Sequence, residues 1–306
     1  MILDSFTCTL ADSPRHSFDL FINATGYEER ASSLFRHGCV EAPHYISALF
    51  PNHRILAFNE NVRIMQDVSA TLVENPVEFF RAEFEDLAKS MVTKLGRTLR
   101  IGLDVSSMNR TMAATVLLSL FACQSLIVSL NIFYVPGRFK PPKLSFSPIQ
   151  QIGAVTPELS GFDSEPGLPL ALILGLGFEY GTAVGIINQL EPQATLCFRA
   201  IGHDTRFEEA VRYANLDFDF TPYNVRVTEY ELLNIRSAYQ HLENIVHSLR
   251  GNFRTRDGSD GAEDFCRAPC ANRSKVLWTN FDLESRAPRC PPSGSSSRWR
   301  VCSRVG

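Results

Sequence analysis

Apolar and polar positions along the chain fall into two alternating kinds of segment. Short runs rich in Val, Ile, Leu and Phe occupy residues 18–25, 43–50, 77–82, 98–105 and 129–135 and predict strands. Between them, residues 28–37, 60–74, 84–95 and 109–124 carry a helical spacing of apolar positions. The pattern then restarts, with strands expected near 169–176, 194–200 and 223–228 and helices near 181–190, 205–214 and 229–249. Strands alternating with helices in this way predict parallel βαβ units whose sheets are covered on both faces. One stretch, Met112 to Val135, has no charge and is long enough to cross a bilayer. Gln124, Ser125 and Asn131 interrupt it and its second half is β-branched, so a buried helix followed by a buried strand is expected, with no membrane partner.

The restart is an internal repeat. Leu20 to Glu28 aligns with Ala171 to Glu179 at an offset of 151, each an apolar run ending in a small residue, Gly, an aromatic and Glu. His44 to Phe50 aligns with Ala194 to Ala200 at an offset of 150, and Val77 to Arg81 aligns with Val225 to Glu229. Two Rossmann-like parallel βαβ repeats follow: residues 1–140 with the candidate site, a linker over 141–168 rich in Pro, Gly and Ser, and a second repeat over 169–250. The second repeat is incomplete. The counterpart of the strand at 98–105 should fall near 249–255, where the sequence reads Arg250-Gly251-Asn252-Phe253-Arg254-Thr255-Arg256.

Composition sets the last segment apart. The whole chain of 306 residues is 44% hydrophobic and 21% charged, with a net charge of −3, ordinary for a globular protein. Residues 251–306 hold 10 Lys or Arg and 6 Asp or Glu, whereas residues 1–250 hold 20 and 27. Cys266, Cys270, Cys290 and Cys302 and both tryptophans, Trp278 and Trp299, lie in this basic, irregular tail. Three readings fit it: a native disordered tail, a non-native end such as a frameshift or recombination leaves, or a Cys-rich module. Paired CxxC knuckles are missing, so no metal is expected. Cys8, Cys39, Cys123 and Cys197 sit among apolar neighbours, as reduced thiols do, and no basic region opens the chain as in a signal peptide. A cytoplasmic location is expected.

Ligands of open α/β sheets bind beyond the carboxyl ends of the strands, so three loops matter. In the first, Asn23, Thr25, Gly26 and Glu28 offer hydrogen bonds and a close backbone approach, and Arg30 follows. In the second, Asp104, Ser106, Ser107, Asn109 and Arg110 join a strand to a helix. Ser106 and Ser107 are candidate caps, and exposed N–H groups there suit an anion. Arg110 opposes the helix dipole in the first turn, a cost that a bound phosphate offsets. The third loop, with Gly175, Gly177 and Glu179, has the glycine spacing of a dinucleotide-binding turn. No G-x-S-x-G, H-E-x-x-H or P-loop occurs, basic residues are not interleaved with aromatics, and neither a catalytic group nor a macromolecular nucleic-acid partner emerges.

Asp104, Ser106 and Arg110 at the end of the fourth predicted strand resemble the signature of CARF domains, the CRISPR-associated Rossmann-fold sensors: Asp or Asn, Ser or Thr two positions on, and Lys or Arg four further. A Gly-Gly pair common before the basic residue is replaced here by Ser107-Met108. The resemblance covers residues 18–135. It implies binding of a cyclic oligoadenylate or related nucleotide second messenger across a homodimer interface in antiviral defence, with Thr25 to Glu28 as the opposing loop. The nucleotide would be a ligand, with no further cofactor. Two alternatives stand beside it: an enzyme acting on a nucleotide or sugar phosphate with Asp104 or Glu28 as the acid/base group, and a truncated or frameshifted product without a function of its own.

Overall fold

The computed structural model describes residues 2–50, 54–139, 141, 154–159, 162–163, 167–177, 181–202, 204–216, 225–231, 234–249, 253, 256–257 and 298–305. Its strands are β1 (Ile2–Thr9), β2 (His16–Ser17), β3 (Leu20–Thr25), β4 (Val40–Glu41), β5 (His44–Leu49), β6 (Thr71–Val73), β7 (Leu99–Asp104), β8 (Ile127–Tyr134), β9 (Phe162–Asp163), β10 (Ala171–Leu176), β11 (Ala194–Ile201), β12 (Val225–Glu231), β13 (Arg256–Asp257) and β14 (Arg298–Val305). Its helices are α1 (Ser33–Arg36), α2 (Phe58–Asp67), α3 (Pro76–Ala82), α4 (Phe84–Leu95), α5 (Arg110–Ala122), α6 (Thr182–Leu190), α7 (Thr205–Leu216) and α8 (Ile235–Leu249). The chain divides into two compact units, residues 1–137 with 290–306, and residues 138–289.

The first unit holds a sheet in the order β1-β14-β8-β7-β3-β5-β6, with every neighbouring pair parallel. Every residue of β3 is buried, as expected of a central strand with both faces covered. On one face Leu20, Ile22 and Ala24 pack with Phe80 of α3, Phe84 and Met91 of α4, and Met112 and Val116 of α5. On the other, Phe21 meets Phe18, Phe35 and Phe133 at ring-centroid distances of 5.8, 5.5 and 5.8 Å. Gly102 of β7 pairs with Phe21, and a Cβ there would lie 2.5 Å from Phe21 Cδ2 and 2.8 Å from Phe18 Cδ2. The missing side chain is what admits the aromatic stack.

The uncharged stretch Met112 to Val135 becomes the greater part of α5 followed by β8, with Met112, Val116, Leu120, Leu130 and Phe133 all buried. Among the described residues no helix is long and apolar enough to cross a membrane. The predicted strand at 77–82 is instead helix α3, and the strand of that repeat position is β6. Pro76 stands in the first turn of α3, and Phe80 and Phe84 are buried four residues apart on consecutive helices. Adjacent apolar residues in a short run do not by themselves separate the two periods. The repeat partner of β12 is therefore β6: Ile46 of β5 pairs with Thr71, as Leu196 of β11 pairs with Arg226.

The second unit holds the parallel sheet β10-β11-β12, with α6 and α7 as its crossovers and α8 after the third strand. The architecture is thus α/β with two Rossmann-like parallel βαβ repeats, and among the described residues β10 has no strand on the side away from β11. Two elements fall inside stretches read as linker and irregular tail. β9 pairs with β13 in antiparallel fashion, and β14 lies between β1 and β8. Arg298-Trp299-Arg300-Val301 does alternate polar and apolar, a strand period in an otherwise polar segment. Residues 258–297 lie outside the described residues.

Candidate functional site

The order β8-β7-β3-β5-β6 reverses direction at β3. The chain leaves β3 toward β5 on one side and reaches β7 on the other. α1 and α2 cover the sheet face of Phe21 and Asn23, while α3 to α5 cover the opposite face. The loops after β3 and β7 therefore leave toward opposite faces at the carboxyl edge, the position at which open α/β sheets carry a ligand crevice. Gly26 and Ser107 meet there: a Cβ on Gly26 would lie 3.0 Å from Ser107 Oγ and 3.5 Å from Phe50 Cδ2.

The β3 loop is held from below by a residue that sequence reasoning missed. Asn61 of α2 is fully buried and donates through Nδ2 to the Gly26 carbonyl at 2.9 Å and the Glu28 carbonyl at 2.8 Å. Its Oδ1 accepts from Ser32 Oγ at 2.7 Å and Arg36 Nη2 at 3.4 Å. The second unit repeats the device, with Asn215 of α7 donating to the Gly177 carbonyl at 3.1 Å. In both helices the Asn sits within the buried stripe, beside Phe58 and Met65 in one and Val211 and Ala214 in the other, and that misplaced polar residue is the sequence signal. Thr25 Oγ1 shares a 2.5 Å hydrogen bond with Ser47 Oγ, beneath the loop. Glu28 is ion-paired with Arg30, whose Nη1 donates to the Val135 carbonyl at 3.2 Å and whose guanidinium lies over the Tyr134 ring. Burial opposes the Arg30 charge, but the Glu28 carboxylate outweighs it and keeps the guanidinium's pKa above its ordinary value.

Asn23 was expected in the loop. Its side chain instead points from β3 into the layer below, with Nδ2 3.4 Å from Met65 Sδ, and its buried Oδ1 has no hydrogen-bond partner. Alternation along the strand explains this, because Asn23 shares the Phe21 face that α1 and α2 cover.

The β7 loop divides into an internal half and an exposed half. Asp104 and Ser106 are each only 2% exposed. Asp104 Oδ1 accepts from the Ser106 N–H at 2.9 Å and from Ser106 Oγ in a very short contact, and Ser106 Oγ accepts from the Val135 N–H at 2.7 Å. The Asp-x-Ser pair thus ties the end of β7 to the end of β8. The cap of α5 is Asn109, whose Oδ1 accepts from the Met112 N–H at 2.8 Å, rather than Ser106 or Ser107. Ser107 is half-buried at the crevice, and Asn109 and Arg110 are exposed in front of the helix.

Beyond Phe50, the chain returns through Ile55 and Leu56, which are 58% and 75% exposed, and the Ala57 N–H donates to the Tyr27 carbonyl at 3.2 Å. Leu56 has φ of 51°, a left-handed conformation that costs an L-residue roughly 1–2 kcal/mol. In the second unit Gly181, φ 75°, precedes α6 and the Gly177 carbonyl accepts from Asn215, while Gly175, expected in the loop, lies within β10 paired with Phe198; Glu179 lies outside the described residues.

Nucleophilic chemistry gains nothing from the buried thiols: burial pushes Cys123 up to about 11 and Cys197 up to about 12. Among the described residues no group of three or more His, Cys, Asp or Glu is placed to hold a metal ion. No protein-family model and no curated protein matches this chain.

Proposed function

We propose that the first unit binds a nucleotide second messenger of the cyclic oligonucleotide type, with the phosphate in the crevice between the β3 and β7 loops. One observation carries the reading: the loops after β3 and β7 approach at the reversal of strand order, with Gly26 against Ser107. The N–H groups at the start of α5 and the Arg110 guanidinium then face an anion, which offsets the cost of a cation in that turn. Asp104 and Ser106 act as a brace that fixes this loop, and Asn61 fixes the opposing one. A sensing role in antiviral defence, a homodimer and a cytoplasmic location belong to the same reading; the free, buried thiols of Cys39, Cys123 and Cys197 suit a reducing compartment.

Thermal unfolding of the full chain with cyclic tetra-adenylate, cyclic dinucleotides, AMP and NADP tests it. A cyclic oligonucleotide at 100 times its dissociation constant should add about 2.7 kcal/mol to stability. Arg110→Ala should weaken that binding at least tenfold, measured as the loss of the ligand-induced shift relative to the variant's own unliganded melting temperature. A shift with NADP alone, or with none of the four, refutes the proposal.

A further inference from the structure

We infer that Tyr27, Ile55 and Leu56 form the platform for the base of a bound adenine nucleotide, an inference that rests on the function proposed above. Leu56 is the telling residue. Its backbone is left-handed, which favours glycine, and its side chain is 75% exposed, so it contributes little to the core. Folding alone is therefore served better by glycine at this position, and the reason for a leucine lies outside the fold. Ile55 beside it is 58% exposed and Tyr27 is 38% exposed, and the hydrogen bond from the Ala57 N–H to the Tyr27 carbonyl holds the two segments together.

This apolar rim continues the phosphate crevice. Gly26 links the two, since a Cβ there would lie 3.0 Å from Ser107 Oγ, and Tyr27 follows directly, with the segment of Ile55 and Leu56 hydrogen-bonded to its carbonyl through Ala57. A ligand with its phosphate at Ser107 and the start of α5 would meet Tyr27 and the segment bonded to it on the far side of Gly26. Flat bases stack on aromatic and aliphatic faces and need few fixed polar partners, which suits a partly exposed tyrosine on a segment hydrogen-bonded to one that carries two exposed aliphatic side chains. A lone phosphate or sugar phosphate would not reach it.

Leu56→Gly separates the two roles. The full chain carrying it should melt at a higher temperature, because glycine relieves the left-handed strain. Calorimetric titration with cyclic tetra-adenylate should show at least a tenfold loss of affinity, while ribose 5-phosphate binds as it does to the unaltered protein. Leu56→Asp, which keeps a side chain but removes its apolar surface, should lose binding likewise. If cyclic tetra-adenylate binds both variants as tightly as the unaltered protein, the platform is refuted and the phosphate site stands. If ribose 5-phosphate weakens in parallel, Leu56 shapes the phosphate loop instead and the inference falls. Should sedimentation show a dimer of the unaltered chain that Leu56→Asp dissociates, the rim is a subunit contact and the inference is overturned. If the unaltered protein binds neither probe, the proposed function itself fails and the platform with it.

Discussion

Replacing Asp19 by Asn should destabilise the first unit by about 2 kcal/mol at neutral pH, and the deficit should vanish in acid. Asp19 precedes β3 at the end of the strand away from the crevice, and its side chain is 6% exposed. Arg97 grips both carboxylate oxygens at 2.7 Å, the Arg100 N–H donates to Oδ2 at 2.8 Å, and Arg100 Nη2 lies 3.5 Å from Oδ1. Burial alone would raise the pKa of this carboxyl, but the Arg97 and Arg100 hydrogen bonds outweigh it and bring the value from 3.8 to about 2. A difference of that size corresponds to about 2.4 kcal/mol, trimmed by salt because both arginines are half-exposed. The folded-state pKa is the lower one, so the unfolded chain takes up the proton first. The stabilisation is complete above about pH 4 and disappears as pH falls through about 2. Urea unfolding of the unaltered chain and of Asp19→Asn across this range, followed by circular dichroism, isolates the contribution as the difference between them. A difference below about 0.5 kcal/mol at pH 7, or one that stays constant into acid, would refute the argument.

Gly102→Ala should cost about 1–3 kcal/mol in urea unfolding, since its Cβ would fall 2.5 Å from Phe21 inside the aromatic stack; a neutral result would mean the stack yields freely. Asn61→Ala leaves the carbonyls of Gly26 and Glu28 without their buried donor, so a loss of at least about 2 kcal/mol is expected, with faster amide exchange over Tyr27 to Glu29. Unchanged exchange there would show that the loop holds itself.

Much of the architecture is written locally in the chain. The apolar runs at 18–25, 98–105 and 129–135 are strands because both faces of a parallel sheet are covered, and the repeat at an offset near 150 announces a second sheet. Met112 to Val135 resolves into helix and strand at its polar interruptions. Residues 77–82 resisted the same treatment, because two neighbouring phenylalanines fit either period until the layer that buries them is known. The loops after β3 and β7 were identifiable as strand-to-helix turns at the carboxyl edge of the sheet, since a strand that ends in Gly or in acid and hydroxyl groups before a helix is a local pattern.

Which groups in those loops face outward was settled by partners far along the chain. Ser106 is turned inward by the N–H of Val135, 29 residues on, and Gly26 is fixed by Asn61, 35 residues on. Asn23 faces Met65 because α2 folds back over that side of the sheet. Asp19 finds its cations 78 and 81 residues away. The sequence by itself determined the kind of the central strands and of the helices that follow them, and the loops that lead from strand to helix, because the hydrophobic period is a local property. Tertiary structure alone decided the strand order, the meeting of the β3 and β7 loops and the division of their polar groups between buried and exposed, because parallel pairing joins strands distant in sequence, and a buried polar group takes whatever partner that pairing brings.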